Sequence, residues 1–347
     1  MGKVGIVPGN AVPQEAILKF ARNRYGAHAH QARPSYLPWA YTANPHCTQG
    51  LAQLLVAQDE QGRVIGFVNR FFMAWNVNGN IEHIPALTDL AVDEHHRAGG
   101  LGLRLIMAAT KDVPHAFVNG SNANSSPLFR GLKYQEITGA RWMRKILAPV
   151  RGTIRFLLHR LTGRLPDASL FFTAGDSGPS ITRIIAPDGS LLEELATWLN
   201  ADPAPVKLHW TAASLRWRFF DTSGPRHVLF LKRANHRLDG ALICSAGAQR
   251  GLNVCRLVMH RASNPAVYQE LLAAALGHAR RNGVDAFMAF TFDVAEAKVL
   301  EAAGLRAQAA PATFFHHARK STPFDGTTAS IHGAASDIGF TSIPVSA

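Results

Sequence analysis

Residues 81–110, IEHIPALTDLAVDEHHRAGGLGLRLIMAAT, carry the tightest local constraint in the chain. An apolar stretch of strand length passes through Gly99, Gly100 and Gly102 into helical spacing of apolar residues. That order predicts a strand, a glycine-rich turn and a helix. Glycines let successive backbone amides converge on one point, and a helix N-terminus adds partial positive charge there. A phosphate fits such a concavity, with Arg97 at its rim.

The surrounding pattern predicts a mixed α/β layer. A helix over Gln14 to Arg24 precedes LLVAQDEQGRVIGFVNR, two apolar runs about a turn at Asp59 to Gly62, hence an antiparallel hairpin. After the glycine turn come a short strand (HAFVNGS), a helix ending near Gly131 and a last strand around Glu136 to Ile146. Residues 205–318 repeat the order hairpin, strand, helix, strand, helix at a shift of about 170 residues, the mark of a fold duplicated in tandem. The chain of 347 residues has length for two such domains. We expect an N-terminal domain at 1–147, a basic linker and start of the second half at 148–204, a degenerate C-terminal domain at 205–318, and a flexible tail at 319–347.

Arg97, Gly100 and Gly102, preceded by LTDLAV, resemble the acyl-CoA signature of the GNAT (N-acetyltransferase) superfamily: Arg or Gln, two residues, Gly, one residue, then Gly or Ala. Asn122, Leu128-Phe129 and Leu132-Lys133-Tyr134 resemble the second family pattern, in which an Asn lies near the CoA arm and a Tyr follows seven residues on. Here Phe129 takes the Tyr position and Lys133 that of the usual Gly. The resemblance covers residues 12–147 closely and 205–318 by element order. It implies a tandem GNAT-like acyl-CoA N-acyltransferase fold with acetyl-CoA or another acyl-CoA as co-substrate and no metal. By the same resemblance the diphosphate contacts are Arg97, Ala98, Gly99, Gly100, Leu101 and Gly102. Leu90 and Val92 give strand contacts, with the Val92 amide as oxyanion donor, and Asn122 and Phe129 lie along the CoA arm. A phenyl ring has no proton to give a departing thiolate. The second half has no such glycine loop, so one CoA site is expected.

Attack by an amine on a thioester needs a base. Glu82 is favoured, because family members often carry a carboxylate at the start of this strand, and His83 comes second. Asp89 lies an odd number of positions from Glu82, which on a regular strand aims the two at opposite faces; it is read as a loop tie. The expected reaction is acyl transfer to a small-molecule amine, with an amino sugar or nucleotide sugar preferred. The competing readings are a catalytically silent acyl-CoA-binding scaffold and an aminoacyl-tRNA-dependent transferase.

The net charge of +12 draws anions. The basic residues are scattered, without an RNA-binding aromatic motif, which disfavours nucleic acid. RGTIRFLLHRLTGRLPDAS places Ile154, Leu157, Leu158 and Leu161 on one face and Arg151, Arg155, Arg160 and Arg164 around the rest. Such a helix either rests on an anionic membrane as a peripheral contact or, more simply, packs between domains with its arginines solvated. Three cysteines with no CxxC spacing suggest reduced thiols. Without a signal-peptide run or a membrane span, the expected location is the cytoplasm. Gly175-Asp176-Ser177-Gly178-Pro179 is read as a turn, and Arg216-Trp217-Arg218-Phe219 as packing or a sugar-binding edge.

Overall fold

The computed structural model describes residues 4–177, 180–309, 313–318, 329–331 and 334. In chain order, β1 (Gly5–Pro8), α1 (Gln14–Tyr25), β2 (Leu55–Gln58), β3 (Val64–Val77), β4 (Asn80–Val92), α2 (Leu101–Thr110), β5 (His115–Ser121), α3 (Ser126–Gly131) and β6 (Gln135–Ile137) build the first half. There follow β7 (Arg141–Ile146), α4 (Pro149–Thr162), β8 (Gly175–Asp176), β9 (Ile181–Ile184), α5 (Gly189–Asn200), β10 (Val206–Leu208) and α6 (Ala212–Leu215). The chain continues through β11 (Val228–Ala234), β12 (Arg237–Gln249), β13 (Leu252–Ala262), α7 (Pro265–Arg281), β14 (Ala286–Thr291), α8 (Val294–Ala302), β15 (Arg306–Gln308) and β16 (Thr313–Ala318).

Two compact units result, and neither is contiguous in sequence. One holds residues 1–138, 204–209 and 311–329; the other holds 139–203, 210–310 and 330–347. The first sheet runs β1-β2-β3-β4-β5-β16-β6, with β10 also paired to β3; the second runs β15-β7-β14-β13-β12-β11-β9-β8. The expected strand over Glu136 to Ile146 is therefore two strands in two sheets. Gly139, at φ 89°, interrupts it, and β7 pairs antiparallel with β14 and β15. In return β16 enters the first sheet between β5 and β6. Each unit is completed by a strand from the other half of the sequence. Apart from this exchange the order β2-β3-β4-α2-β5-α3-β6 recurs as β11-β12-β13-α7-β14-α8-β15, so the tandem duplication stands.

In the first unit Leu87, Val92, Leu101, Leu105, Ile106, Phe129 and Phe315 share one buried core that clamps α2 and α3 to the sheet. The second unit has its own core, built on Leu271, Leu272, Phe287 and Cys255. All three cysteines are free and buried. Trp217, Arg218 and Phe219 are buried as well, so that segment packs and presents no sugar-binding edge. The arginines of α4 depart from the solvated expectation, because Arg151 and Arg155 both bond Asp285. Among the described residues no helix is long and apolar enough to cross a membrane. Most of the expected tail at 319–347 lies outside the described residues.

Candidate functional site

The site grows from the way β4 and β5 part. They are parallel neighbours, yet their ladder holds a single Cα pair, Ala86 with Phe117. Beyond it β4 continues to Val92 along β3, while β5 continues to Ser121 along β16. The two strands therefore splay and leave a wedge at the carboxyl end of β4, the end where ligands of open sheets bind.

The Val92 amide points to that wedge. Asp93 N donates to Ile65 O at 2.8 Å, and main-chain groups alternate sides along a strand. The N–H and C=O of Val92 are thus directed away from β3, and its carbonyl accepts from Arg97 Nε at 3.4 Å. Asp93 then opens a 3₁₀ turn over Glu94–Gly99, where its carboxylate accepts from His95 N. Gly100 follows in the left-handed region at φ 69°, ψ 17° and opens α2 with no side-chain cap. A Cβ on Gly100 would meet nothing within 4 Å, whereas one on Gly102 would lie 3.4 Å from Leu128 Cδ1 and 3.8 Å from Val92 Cγ2. Gly100 is needed for its dihedral, whereas Gly102 leaves room for a Cβ in ordinary van der Waals contact with Leu128 and Val92 and for little more.

The duplicated unit differs at the same point. β13 and β14 also pair over a short stretch only, Val254 to Arg256 with Ala286 to Met288. There, however, Asn264 caps α7 by accepting from Ala266 N and Val267 N, and Pro265 occupies the first turn. Its helix amides are closed by the chain itself.

Two clefts flank the turn that leads into α2, and one of them reaches its uncapped start. One, of about 410 Å³, is lined by Val4, Gln61, Arg63, Gly99, Leu101 and Arg104 among others. Another, of about 750 Å³, is lined by Lys19, Asn23, Arg24, Arg63 and His96 among others. Their cations suit an anionic ligand, with Asp59, Glu60, Asp93 and Glu94 interspersed. Arg97 is half exposed and lies 3.3 Å from Glu94 Oε1, and Ala98 and Gly99 are exposed beside it.

Leu90, Val92, Arg97, Ala98, Gly99, Gly100, Leu101 and Gly102 are thus contiguous around one end of β4. Asn122 lies at the end of β5, where its Oδ1 accepts from Asn124 N at 2.9 Å and Ser125 N at 3.2 Å, shaping the turn into α3. Phe129 is 2% exposed and packs in the core against Tyr134 and Phe315, with ring centroids 5.2 and 5.6 Å away.

Glu82 and His83 are not brought to this end. Glu82 pairs with Trp75 and Val92 with Gly66 on β3, a separation of about 30 Å at 3.3 Å per residue. A base must reach its proton directly or through one water, so neither residue can serve a carbonyl held at Val92. Glu82 instead faces His115, with Oε2 3.7 Å from Nε2, and His83 stands 5.3 Å from the His46 ring.

Asp89, expected as a loop tie, does tie Gln31 and Tyr36, and it stands on β4 three residues before Val92. A bulge between Thr88 and Ala91, opposite Asn69 and Phe67, puts Asp89 at φ 52° and resets the alternation. Asp89 thereby joins the face of Asn69 and Glu82. Its carboxylate accepts from Asn69 Nδ2 at 2.6 Å, Tyr36 Oη at 3.0 Å and Gln31 Nε2 at 2.5 Å. Burial holds the neighbouring His30 down to about 4 against the pull of Asp89, so that ring is neutral near pH 7. The left-handed Asp is a recognisable signal, since Asp and Asn enrich positive φ, but nothing in the alternation LTDLAV announces it. Among the described residues no group of three His, Cys, Asp or Glu is placed to hold a metal.

No family model matches the sequence, and no curated protein is similar to it. Solved structures match the fold. Saccharomyces cerevisiae N-myristoyltransferase with bound myristoyl-CoA is 12% identical, with 98% of this chain and 90% of that chain covered and a TM-score of 0.64. A GCN5-related N-acetyltransferase from Kribbella flavida is 16% identical over 91% of this chain and 72% of that one, with a TM-score of 0.56. A probable N-acyltransferase from Enterococcus faecalis is 10% identical over 92% and 73%, with a TM-score of 0.54. The chain has the GNAT-type fold in duplicate, as expected from its glycine loop and repeated element order.

Proposed function

We propose that this chain is an acyl-CoA-dependent N-acyltransferase with one donor site, in the first unit. The observation that carries the reading is the uncapped start of α2 beside the β4–β5 wedge. In the duplicated unit the equivalent helix start is closed by Asn264. The solved structures of the same fold include acyltransferases, one of them holding an acyl-CoA.

In this reading the amides from Gly100 to Gly102 bind the CoA diphosphate, with Arg97 at the rim, and the CoA arm enters the wedge past Asn122. The Val92 amide polarises the thioester carbonyl as charge develops on its oxygen. The acceptor amine attacks that carbon, the C–S bond breaks, and the amine proton must leave. Asp89, three residues from Val92, takes the role expected of Glu82: it binds the incoming ammonium and receives the proton. CoA departs as thiolate and is protonated by solvent, since Phe129 carries no proton to donate. The acceptor is defined here as an amine; the amino-sugar expectation has no dedicated group in this geometry.

Calorimetric titration with CoA and acetyl-CoA, followed by thiol release across an amine panel at pH 8, tests the proposal. Binding with turnover supports it, and Asp89→Asn is expected to lower turnover by about 10² or more while CoA affinity holds. Binding without turnover would instead identify an acyl-CoA-binding scaffold. No binding would refute the donor site.

A further inference from the structure

Helix α4 is mounted the wrong way round for a helix of a soluble protein. Twelve large apolar side chains are exposed among the described residues, and six of them lie in this helix. Val150, Ile154, Leu157, Leu158 and Leu161 follow the spacing i, i+4, i+7, i+8, i+11, a single stripe. Val150 is 73% and Leu161 82% exposed. The opposite, polar side is turned inward. Arg151 Nε and Arg155 Nη1 bond the carboxylate of Asp285 at 2.9 and 3.0 Å. Arg151 also donates to Val284 O at 2.7 Å and Arg155 to Gly283 O at 2.6 Å. Gly152 packs beside them, with room for only van der Waals contact to Leu252 and Asp285.

The arginines therefore anchor the helix, and its apolar stripe has no partner within the described chain. Charge selects what covers it. Of the seven Arg and Lys in residues 137–166, a stretch without Asp or Glu, Arg151 and Arg155 are paired with Asp285, while Arg160 and Arg164 remain exposed at the end of the stripe. A second copy would bring an equally basic face and repel it; an anionic bilayer supplies both an apolar interior and negative headgroups. We propose that α4 lies in the plane of an anionic membrane surface, with its leucines in the acyl boundary and Arg160 and Arg164 at the headgroups.

The test is co-sedimentation of the full chain with vesicles of phosphatidylcholine alone or mixed with phosphatidylglycerol. Binding is expected to the mixed vesicles and to weaken with salt. Leu157→Glu with Leu161→Glu should weaken it roughly a hundredfold at an unchanged melting temperature, because both side chains are exposed. Arg160→Gln with Arg164→Gln should weaken it roughly tenfold or more. Absence of binding to the mixed vesicles overturns the proposal, as does a leucine variant that binds like the parent. A parent that is dimeric in solution and becomes monomeric in the leucine variant also overturns it, by assigning the stripe to a second copy. No acyl-CoA enters the assay, so its outcome is independent of the donor site.

Discussion

Gly102 separates packing from ligand binding. A Cβ there would stand in ordinary contact with Leu128 and Val92, at 3.4 and 3.8 Å. Gly102→Ala therefore fits without movement, and in a helix it is neutral to about 1 kcal/mol stabilising. Gly102→Val adds two γ-carbons to a place already filled. Overpacking of this kind costs about 1–3 kcal/mol and moves backbone. A displacement of ~1 Å at the start of α2 takes its amides out of hydrogen-bonding range of a diphosphate. Each bond to a charged group is worth about 1.5–3 kcal/mol. Loss of two therefore costs about 3–6 kcal/mol, or roughly 10²–10⁴ in Kd for CoA. Titration calorimetry reads the affinity, and thermal unfolding confirms that the valine variant is folded. A folded Gly102→Val that binds CoA within about threefold of the parent refutes the assignment of these amides to the diphosphate. Loss of binding already in Gly102→Ala refutes the packing argument instead.

Asp285 is 2% exposed and accepts from Arg151, Arg155 and Asn253 N. Asp285→Ala strands a buried amide and two half-buried guanidinium groups, and is expected to cost about 3 kcal/mol, read as faster hydrogen exchange across 149–162; a loss below about 1 kcal/mol counts against the anchoring role. Burial pushes His316 down to about 3 and His46 down to about 4, from 6.5 when unfolded. The unfolded chain then binds more protons below pH 6.5, so stability is full above that pH and falls as pH drops toward 4. His316→Gln should flatten the slope by about 1.4 kcal/mol per pH unit between pH 6 and 4.5 in urea titrations; an unchanged slope refutes it. Phe129→Tyr buries a hydroxyl in an aromatic cluster and should cost about 1–3 kcal/mol without raising turnover; a tenfold faster enzyme would show that this ring faces the thiolate.

The parts of the fold legible in the sequence are those whose signals are local. The hairpin about Asp59 and Gly62 is set by a turn in which Asp59 Oδ1 accepts from Gln61 N and Arg63 N, and the start of α2 by Gly100, whose left-handed conformation disfavours a side chain. What was illegible depends on distant partners. The segment Thr313 to Ala318 alternates too weakly to announce a strand, and it pairs with β5 some 190 residues earlier, Thr313 with Ser121. The strand at Arg141 is plain in TGARWMRKI, but nothing there says that its neighbours are β14 and β15. Glu82 shows the cost for the site: a position on a strand specifies a face and a distance, and one bulge at Asp89 changed the face while the length of β4 removed the reach. In α4 the periodicity gave an apolar stripe correctly and left its direction open, because that direction is fixed by one buried carboxylate 134 residues from Arg151.

The duplication turns these readings into an internal comparison. Both units present a strand, a parting from the next parallel strand, and a helix that starts at the gap. In the second, Asn264 accepts two of the helix's first amides, and Pro265 removes another donor altogether. Caps of this kind are worth about 1 kcal/mol, and unit two keeps that stabilisation. In the first, Gly100 offers neither a side-chain acceptor nor a favourable unfolded-state entropy. A stretch that gives up stabilisation its own duplicate keeps is explained when an external acceptor completes the amides, because binding then returns to the folded state what the missing cap withheld. A diphosphate supplies such acceptors and the opposite charge to the helix start, which is why the open copy, and not the closed one, is proposed as the donor site.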